Sequence, residues 1–310
     1  MRKHMRLLAI ATVILLTVGI PLNAYVTQKD LRPGIVQLKW ASATGITYRI
    51  VTTQGTNVTG SRTLTQVFNS SFGAWAALTT ASISFTQGAD AAAATTYSGT
   101  TPDSINIIKT NILQADYQTV GGDALGVTVV ASDDNGRIVD ADILFNPGVS
   151  YSTETTTPST RIDLESVATH EIGHLLGLDH SSILSATMFP TIGDGLFYAR
   201  ALQTDDIAGV SSIYPAASYL TRGSISGTVR LTSNATVYGA LVVAVNSSGQ
   251  PVASTISDNR GNYVIGGLAA GTYTIYAEPM DQPFSITNVN TLGRIFPSST
   301  VTTSFTTRFR

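Results

Sequence analysis

Three histidines within eleven residues constrain this chain more than any other feature of its sequence. His170, His174 and His180 stand in the window HEIGHLLGLDH, and the first two are four residues apart. In a helix that spacing places both imidazoles on one face, one turn above the other. Gly177 then permits a sharp turn that brings the third imidazole back toward the first two. The window therefore predicts a helix, a turn and three imidazoles that converge on one point.

Converging imidazoles are suited to binding a metal ion. Three protein ligands with a fourth position left open are typical of catalytic zinc, whereas a structural zinc site fills all four positions. Glu171 directly follows the first histidine and is predicted to act as a general base on water at the metal, without being a ligand itself. Buried helical histidines that match the pattern by chance are the alternative. The whole chain has four histidines, and the fourth, His4, lies at the extreme amino end.

The first 24 residues are typical of an export signal. Three basic residues precede the uncharged stretch 7–20, and the small residue Ala24 offers a cleavage point. The stretch is shorter than the roughly 20 residues that a spanning helix needs. An uncleaved anchor is the alternative. We predict a signal peptide over 1–24, a secreted protein, and no membrane span after the signal is removed.

Composition excludes several other classes of protein. The chain contains no cysteine, which excludes disulfides, thiolate zinc sites and a cysteine nucleophile. Its formal net charge is -2 and no long run of Lys or Arg occurs, so we expect no nucleic-acid partner. Hydrophobic residues make up 43% of the chain, which is enough to form real cores.

Helix and strand patterns alternate up to about Tyr214, and only strand patterns follow Gly223. The predicted elements of the first part are strands over 47–52, 82–85, 104–109, 124–130 and 138–145, and helices over 64–78, 163–177 and 204–214. After Gly223, short alternating strands separated by polar turns predict a small all-β sandwich. The predicted ranges are 1–24 signal peptide, 25–38 short segment, 39–214 first domain, 215–222 linker, 223–281 sandwich, and 282–310 a tail that either adds a strand or trails.

The histidine window resembles a known zinc signature. HEIGHLLGLDH matches HExxHxxGxxH of the metzincin metalloproteases, and Ala186–Pro190 (ATMFP) resembles their methionine turn. Ser181 after the third histidine, Trp40 with Ile46–Ile50 (ITYRI), and Leu202–Val210 (LQTDDIAGV) resemble the matrixin branch, the matrix-metalloprotease-like enzymes. The resemblance spans residues 39–214. It implies an α+β metzincin fold, a twisted mixed sheet with long helices and zinc in the cleft.

The resemblance also implies roles for individual residues. His170, His174 and His180 would bind zinc, Glu171 would be the general base, and Met188 would support the site from below. Members of the family hold a protein or peptide substrate as an extended strand beside an edge strand, here 124–130. The substrate-binding residues implied in this way are Leu125, Gly126 and Val127 on that strand and Pro190, Thr191 and Ile192 in the pocket wall.

The resemblance has departures that bear on metal use and latency. Vertebrate matrixins stay latent through a propeptide cysteine and carry a structural zinc on extra histidines. This chain has neither those histidines nor any cysteine, so we predict one catalytic zinc and no cysteine switch. Calcium is left open as a second metal, with oxygen ligands from Asp123, Asp133, Asp134, Asp140 or Asp142. Acidic residues that merely form turns are the alternative.

The second part resembles carboxypeptidase regulatory-like, prealbumin-like β-sandwiches. Gly223–Val229, Gly239-Ala240, Asp258–Tyr263 and Gly267–Thr274 carry this resemblance. It does not identify a partner, and both attachment and stabilisation remain open. The whole sequence therefore predicts a secreted zinc-dependent endopeptidase that hydrolyses peptide bonds through a zinc-activated water. The alternative is a non-catalytic surface-binding or adhesion protein with a metal-bearing, protease-like domain.

Overall fold

The computed structural model describes residues 27–30, 36–92, 95, 97, 102–156, 158–280 and 301–309. The predicted signal peptide and residues 282–300 of the predicted tail lie outside the described residues. The α-helices described are α1 Leu64–Ala76, α2 Gln114–Val120, α3 Leu164–Leu175 and α4 Thr204–Ile213. No helix in these ranges is long and apolar enough to cross a bilayer.

Sixteen strands are described in the same ranges. They are β1 Lys29–Asp30, β2 Val36–Gln37, β3 Ile46–Ile50, β4 Val58–Thr59, β5 Phe85–Gln87, β6 Asn106–Lys109, β7 Gly126–Ser132, β8 Ile138–Phe145, β9 Tyr151–Ser152, β10 Ile162–Asp163, β11 Gly223–Thr228, β12 Leu241–Asn246, β13 Pro251–Ile256, β14 Asn262–Leu268, β15 Tyr273–Glu278 and β16 Arg308–Phe309. The chain forms two compact units. We call the described residues within 36–177 and 191–202 the mixed-sheet unit. The described residues within 178–190 and 203–309, with the amino-terminal strand β1, are called the sandwich unit.

The mixed-sheet unit is built on a five-stranded sheet in the order β5-β3-β6-β8-β7. Strands β5, β3, β6 and β8 run parallel, and β7 is antiparallel to β8 at one edge. A turn at 133–136 joins β8 to β7, and Gly136 has the positive φ of 74° that such a turn requires. The sheet therefore ends in an edge strand formed by a hairpin.

Helices α1 and α3 pack against each other in this unit. α1 buries an apolar stripe of Leu64, Val67, Phe68, Phe72 and Trp75. Phe72 stacks on Tyr48 of the sheet, with ring centroids 3.8 Å apart. The indole Nε1 of Trp75 donates to the carbonyl of Thr169 in α3 at 2.9 Å. Because the Trp75 N–H is both buried and paired, this contact fixes the two helices without an unsatisfied donor.

Helix α3 begins and ends where the sequence predicts. The Asp163 carboxylate accepts from the amide of Ser166 at 2.9 Å and so caps the amino end. Gly177 ends the helical segment with a φ of +93°, and a Cβ there would come within 2.3 Å of the Leu38 carbonyl oxygen. Glycine is therefore required at this turn for both its conformation and its size.

A guanidinium compensates the buried charge of Asp163. The Asp163 side chain is fully buried, and Arg200 donates to its two oxygens at 2.5 and 2.8 Å. Arg200 also donates to the carbonyls of Glu154 and Thr155 at 2.7 and 2.8 Å. One side chain thus ties the start of α3 to a neighbouring loop.

We expect Arg200→Ala to lower the free energy of unfolding by about 3 kcal/mol, since removing one partner of a buried pair leaves the other charge uncompensated. Urea or thermal unfolding followed by circular dichroism measures the change. The matched control is Arg222→Ala, at an exposed arginine, which should unfold like the unaltered chain. Equal stability of the two variants would contradict the role given to Arg200.

The sandwich unit contains two antiparallel sheets, β11-β14 and β13-β12-β15-β16. One core lies between them and includes Tyr263 and Ile265 of β14 and Val242 and Ala244 of β12. Helix α4 belongs to this unit, and its Ala208 is part of the same core. Near the carboxyl end of the described residues, the short strand β16 pairs with β15.

The predicted fold class is confirmed: a mixed sheet with helices is followed by antiparallel all-β sheets. Several element positions differ from the prediction. The strand expected over 82–85 is found at Phe85–Gln87, and β7 begins two residues later than predicted. Helix α2 was not predicted. It has seven residues and a leucine at the N-cap with no capping hydrogen bond, so it carries little local signal.

Candidate metal centre

The three predicted histidines come together. Their candidate ligand nitrogens all lie within 4.8 Å of one another. The rings of His170 and His174 are 4.8 Å apart between centroids and nearly perpendicular, at 84°. His174 is buried, while His170 and His180 are half-buried. Among the described residues, these three form the one cluster of three or more potential metal-ligating side chains.

The donor set fits a single zinc ion. Imidazole nitrogens suit zinc, and three of them leave one coordination position for water or substrate. The residual exposure of His170 and His180 keeps the cluster accessible from solvent. Helix periodicity positions the first two rings, and the turn at Gly177 positions the third.

Glu171 lies on the buried side of α3, beside the edge strand β7. Its side chain is 4% exposed, and the Thr128 hydroxyl donates to its Oε2 at 2.7 Å. Burial raises the pKa of Glu171 from 4.5 to about 7, and the hydrogen bond from Thr128 opposes part of this increase. A carboxylate with a raised pKa is a stronger proton acceptor, which is what a general base near neutral pH requires.

Gly126 and the residues around it form the part of β7 next to Glu171. A Cβ on Gly126 would come 2.8 Å from Glu171 Oε1, so a larger residue would displace that carboxylate. Val127 pairs with Leu144 of β8 within the hairpin. Leu125 precedes the strand, and its carbonyl accepts from the Tyr151 hydroxyl and from the backbone amide of Asn146. Of the three predicted substrate-binding residues on this segment, two lie in the edge strand and Leu125 lies outside it.

The segment after His180 is held by α4. The Asp206 carboxylate accepts from the amides of Thr187 and Met188 at 2.8 and 3.0 Å. Met188 is 2% exposed. Burial raises the pKa of Asp206, while the amides that donate to it lower that pKa. Helix α4 thus fixes the backbone of the methionine turn.

The predicted pocket-wall residues differ in exposure. Pro190 and Ile192 are half-buried and Thr191 is exposed. Four residues further along, Leu196, Phe197 and Tyr198 expose apolar side chains, at 46%, 44% and 38%. The guanidinium of Arg200 lies 5.4 Å from the centre of the Phe197 ring. The assignment of residues 190–192 to a substrate pocket stays a prediction.

The acidic residues considered for calcium do not form a cluster of three or more among the described residues. Asp133 accepts from the amides of Asn135 and Arg137 and so forms the hairpin turn. Asp142 accepts from the Ile107 amide, and Asp123 and Asp134 are exposed. Asp140 accepts from the Asp103 amide through Oδ2, while its buried Oδ1 has no hydrogen-bond partner in the described part of the chain. Calcium binding stays a prediction.

Sequence reasoning gave no role to two residues that contact the site. Thr128 holds the carboxylate of Glu171 although it lies 43 positions away in the sequence. Asp205 accepts from the hydroxyl of Ser181, the residue after His180, at 2.5 Å. A polar residue inside an otherwise apolar strand was the available signal for Thr128. Two adjacent acidic residues at the start of a helix are explained by their favourable interaction with the helix dipole, so Asp205 carried no distinct signal.

Comparison with known families gives two matches along the chain. Residues 39–215 match the model of the matrixin family, and residues 224–283 match the model of the carboxypeptidase regulatory-like domain. The chain is 43% identical over 83 residues to Metalloendoproteinase 4-MMP of Arabidopsis thaliana, covering 27% of this chain and 23% of that protein. It is 55% identical over 56 residues to Metalloendoproteinase 5-MMP of the same plant, covering 18% and 15%.

Human matrilysin is similar over a comparable stretch. It is 49% identical over 47 residues, which cover 15% of this chain and 18% of matrilysin. The chain thus matches less than a quarter of the length of each of these curated relatives. The family matches bear out both resemblances that the sequence suggested.

Proposed function

The chain belongs to the matrixin family, and from that premise we propose that it is a secreted zinc endopeptidase acting on extended protein substrates. The observation that carries this proposal is the cluster of three histidines, with their ligand nitrogens within 4.8 Å, together with the buried Glu171, which directly follows His170 in α3. A catalytically inactive site of this kind would not need Glu171. The glutamate is present and hydrogen-bonded.

His170, His174 and His180 would hold the zinc. Bound zinc supplies Lewis-acid chemistry, polarising the scissile carbonyl and making water more acidic. Glu171 accepts the proton of the attacking water and then donates it to the leaving amine, so that one carboxyl group serves as base and as acid. The water oxygen forms the new bond to the carbonyl carbon as the carbon–nitrogen bond breaks.

Substrate would bind as an additional strand along β7. This strand forms one edge of the five-stranded sheet, and its pairing partner β8 lies on one side only. Edge strands bind extended peptides through main-chain hydrogen bonds. The Thr128 hydroxyl donates to the carboxylate of Glu171, and Gly126 lies so near that carboxylate that a Cβ would collide with it. A peptide on this edge would therefore pass close to the proposed general base.

Export rests on the sequence of the leader. A basic start, an uncharged apolar stretch and a small residue at position 24 are the parts of a cleavable signal. The low share of charged residues, 12%, against about 25% in average soluble domains, accompanies a chain rich in Ser and Thr. We propose one zinc per chain, with calcium as a further metal. The buried Asp140 Oδ1, which has no hydrogen-bond partner among the described residues, would favour calcium binding.

Purified protein should cleave denatured casein or gelatin at internal peptide bonds, and a zinc chelator should abolish the cleavage. Mass spectrometry of the products identifies the new amino termini. The matched control is the same digestion with chelator and excess zinc added together, which should restore the same cleavage sites. Binding to these proteins without any new termini would instead favour the non-catalytic, adhesive alternative.

A further inference from the structure

Asp205 is a buried carboxylate with two different partners. It is 6% exposed, and its Oδ2 accepts from the hydroxyl of Ser181 at 2.5 Å. Its Oδ1 accepts from the backbone amide of Ser254 in β13 at 2.6 Å. Ser181 directly follows His180. One side chain of α4 therefore joins the β-sandwich to the residue next to the third histidine.

The position of Ser254 explains why its amide is available. Strand β13 lies at the edge of its four-stranded sheet and pairs only with β12 in that sheet. An edge strand has one row of N–H groups that its own sheet does not use. The Ser254 amide belongs to that row, since it donates to Asp205.

Apolar contacts accompany this polar connection. Phe189, in the methionine turn, is 5% exposed and packs in one core with Tyr238, Leu241 and Val243 of the sandwich. Ala208 of α4 is buried in the other core of the same unit. The amide of Ser181 also donates to the carbonyl of Met188 at 2.8 Å, which closes the loop between the third histidine and the methionine turn.

We propose that the β-sandwich, meaning the two antiparallel sheets formed by strands β11 to β16, positions the third histidine. The Ser254 amide fixes Asp205, and Asp205 fixes Ser181 and with it the backbone that carries His180. The sandwich is then a part of the metal centre's support, with Asp205 as a positioning residue. This inference rests on the proposed zinc role of His180.

The test compares two substitutions at one position in the full-length chain. Ser254→Pro removes the amide hydrogen and puts a ring carbon against Asp205, in an edge strand where proline is tolerated. Ser254→Ala keeps the amide and removes only the hydroxyl, which is 3.4 Å from Asp205, so it is the matched control. Zinc affinity is measured by competition with a chromophoric chelator, and hydrogen exchange of residues 181–188 is measured in the metal-free protein.

We expect Ser254→Pro to weaken zinc binding by about 10-fold or more, as loss of groups that orient ligands does elsewhere. Exchange in 181–188 should become faster. Ser254→Ala should match the unaltered chain in both measurements. Unchanged zinc affinity and unchanged exchange in Ser254→Pro would overturn the proposal.

Proline could disturb the sandwich itself, and faster hydrogen exchange in β12 would reveal that. In that case Asp205→Asn is the variant that tests the proposal. The asparagine retains the volume of Asp205 and loses one of its two charged acceptor oxygens. It should weaken zinc binding and speed exchange in 181–188, and normal values for both would equally refute the positioning role. If the unaltered chain bound no zinc, the proposed function would be refuted. The exchange rates of residues 181–188 in metal-free protein test the positioning role separately from zinc binding.

Discussion

Glu171→Gln should lower kcat/KM for peptide cleavage by about 10²–10⁴-fold, the usual contribution of a general acid–base group. Zinc content should stay at the level of the unaltered chain, because the candidate zinc ligands are the three clustered histidines and Glu171 is not a ligand. Glutamine has nearly the same shape and can still accept from the Thr128 hydroxyl. The substitution therefore removes the proton acceptor and leaves the surroundings of α3 in place.

The size of this effect follows from where the carboxylate lies. Glu171 is almost fully buried beside β7, and burial raises its pKa to about 7. A carboxyl group with that pKa can accept a proton and release it again at neutral pH. An amide can do neither. Steady-state kinetics on a fluorogenic peptide, with zinc measured in the same samples, checks the prediction.

Glu165→Gln is the matched control for this measurement. It makes the same chemical change in the same helix, at a side chain that pairs with Arg62. We expect cleavage by this variant at the rate of the unaltered chain. If Glu171→Gln were as active as Glu165→Gln, Glu171 would have no part in proton transfer.

The parts of the fold that sequence predicted best are those that depend on neighbouring residues. Helix α3 was predicted from its apolar pattern, its N-cap Asp163 and the glycine at its end, and each of these acts within a few positions along the chain. The hairpin before α3 was predicted from Asn135-Gly136, and Gly136 has the expected positive φ. The convergence of the histidines is also local, because one helix and one turn create it.

Contacts between distant parts of the chain were not predictable in the same way. A threonine within an apolar strand indicates that Thr128 has some polar partner, but it does not indicate that this partner is Glu171, 43 positions later. Nothing near Asp205 indicates an amide donor 49 positions later in β13. Such contacts depend on how strands and helices pack, and a single sequence contains no direct record of that packing. The predicted domain ranges stay predictions. Helix α4 and residues 178–190 belong to the same compact unit as strands β11 to β16.

Removing any one of the three histidines should nearly abolish zinc binding. Loss of a residue that merely orients a ligand costs about 10–100-fold in metal affinity, so loss of a ligand itself should exceed about 100-fold. His170→Ala, His174→Ala and His180→Ala should each show this loss and only background peptide cleavage. Equilibrium competition for zinc with a chelator measures the affinity, and circular dichroism checks that each variant is folded.

The three variants serve as controls for one another, because one ion bound by three equivalent ligands predicts similar losses at every position. A variant that kept the affinity of the unaltered chain would show that its histidine is not a ligand. Zinc titrated into metal-free protein should restore cleavage at one equivalent per chain. A requirement for two tightly bound zinc ions would contradict the single site, since His4 is the only histidine of the sequence besides the three that cluster.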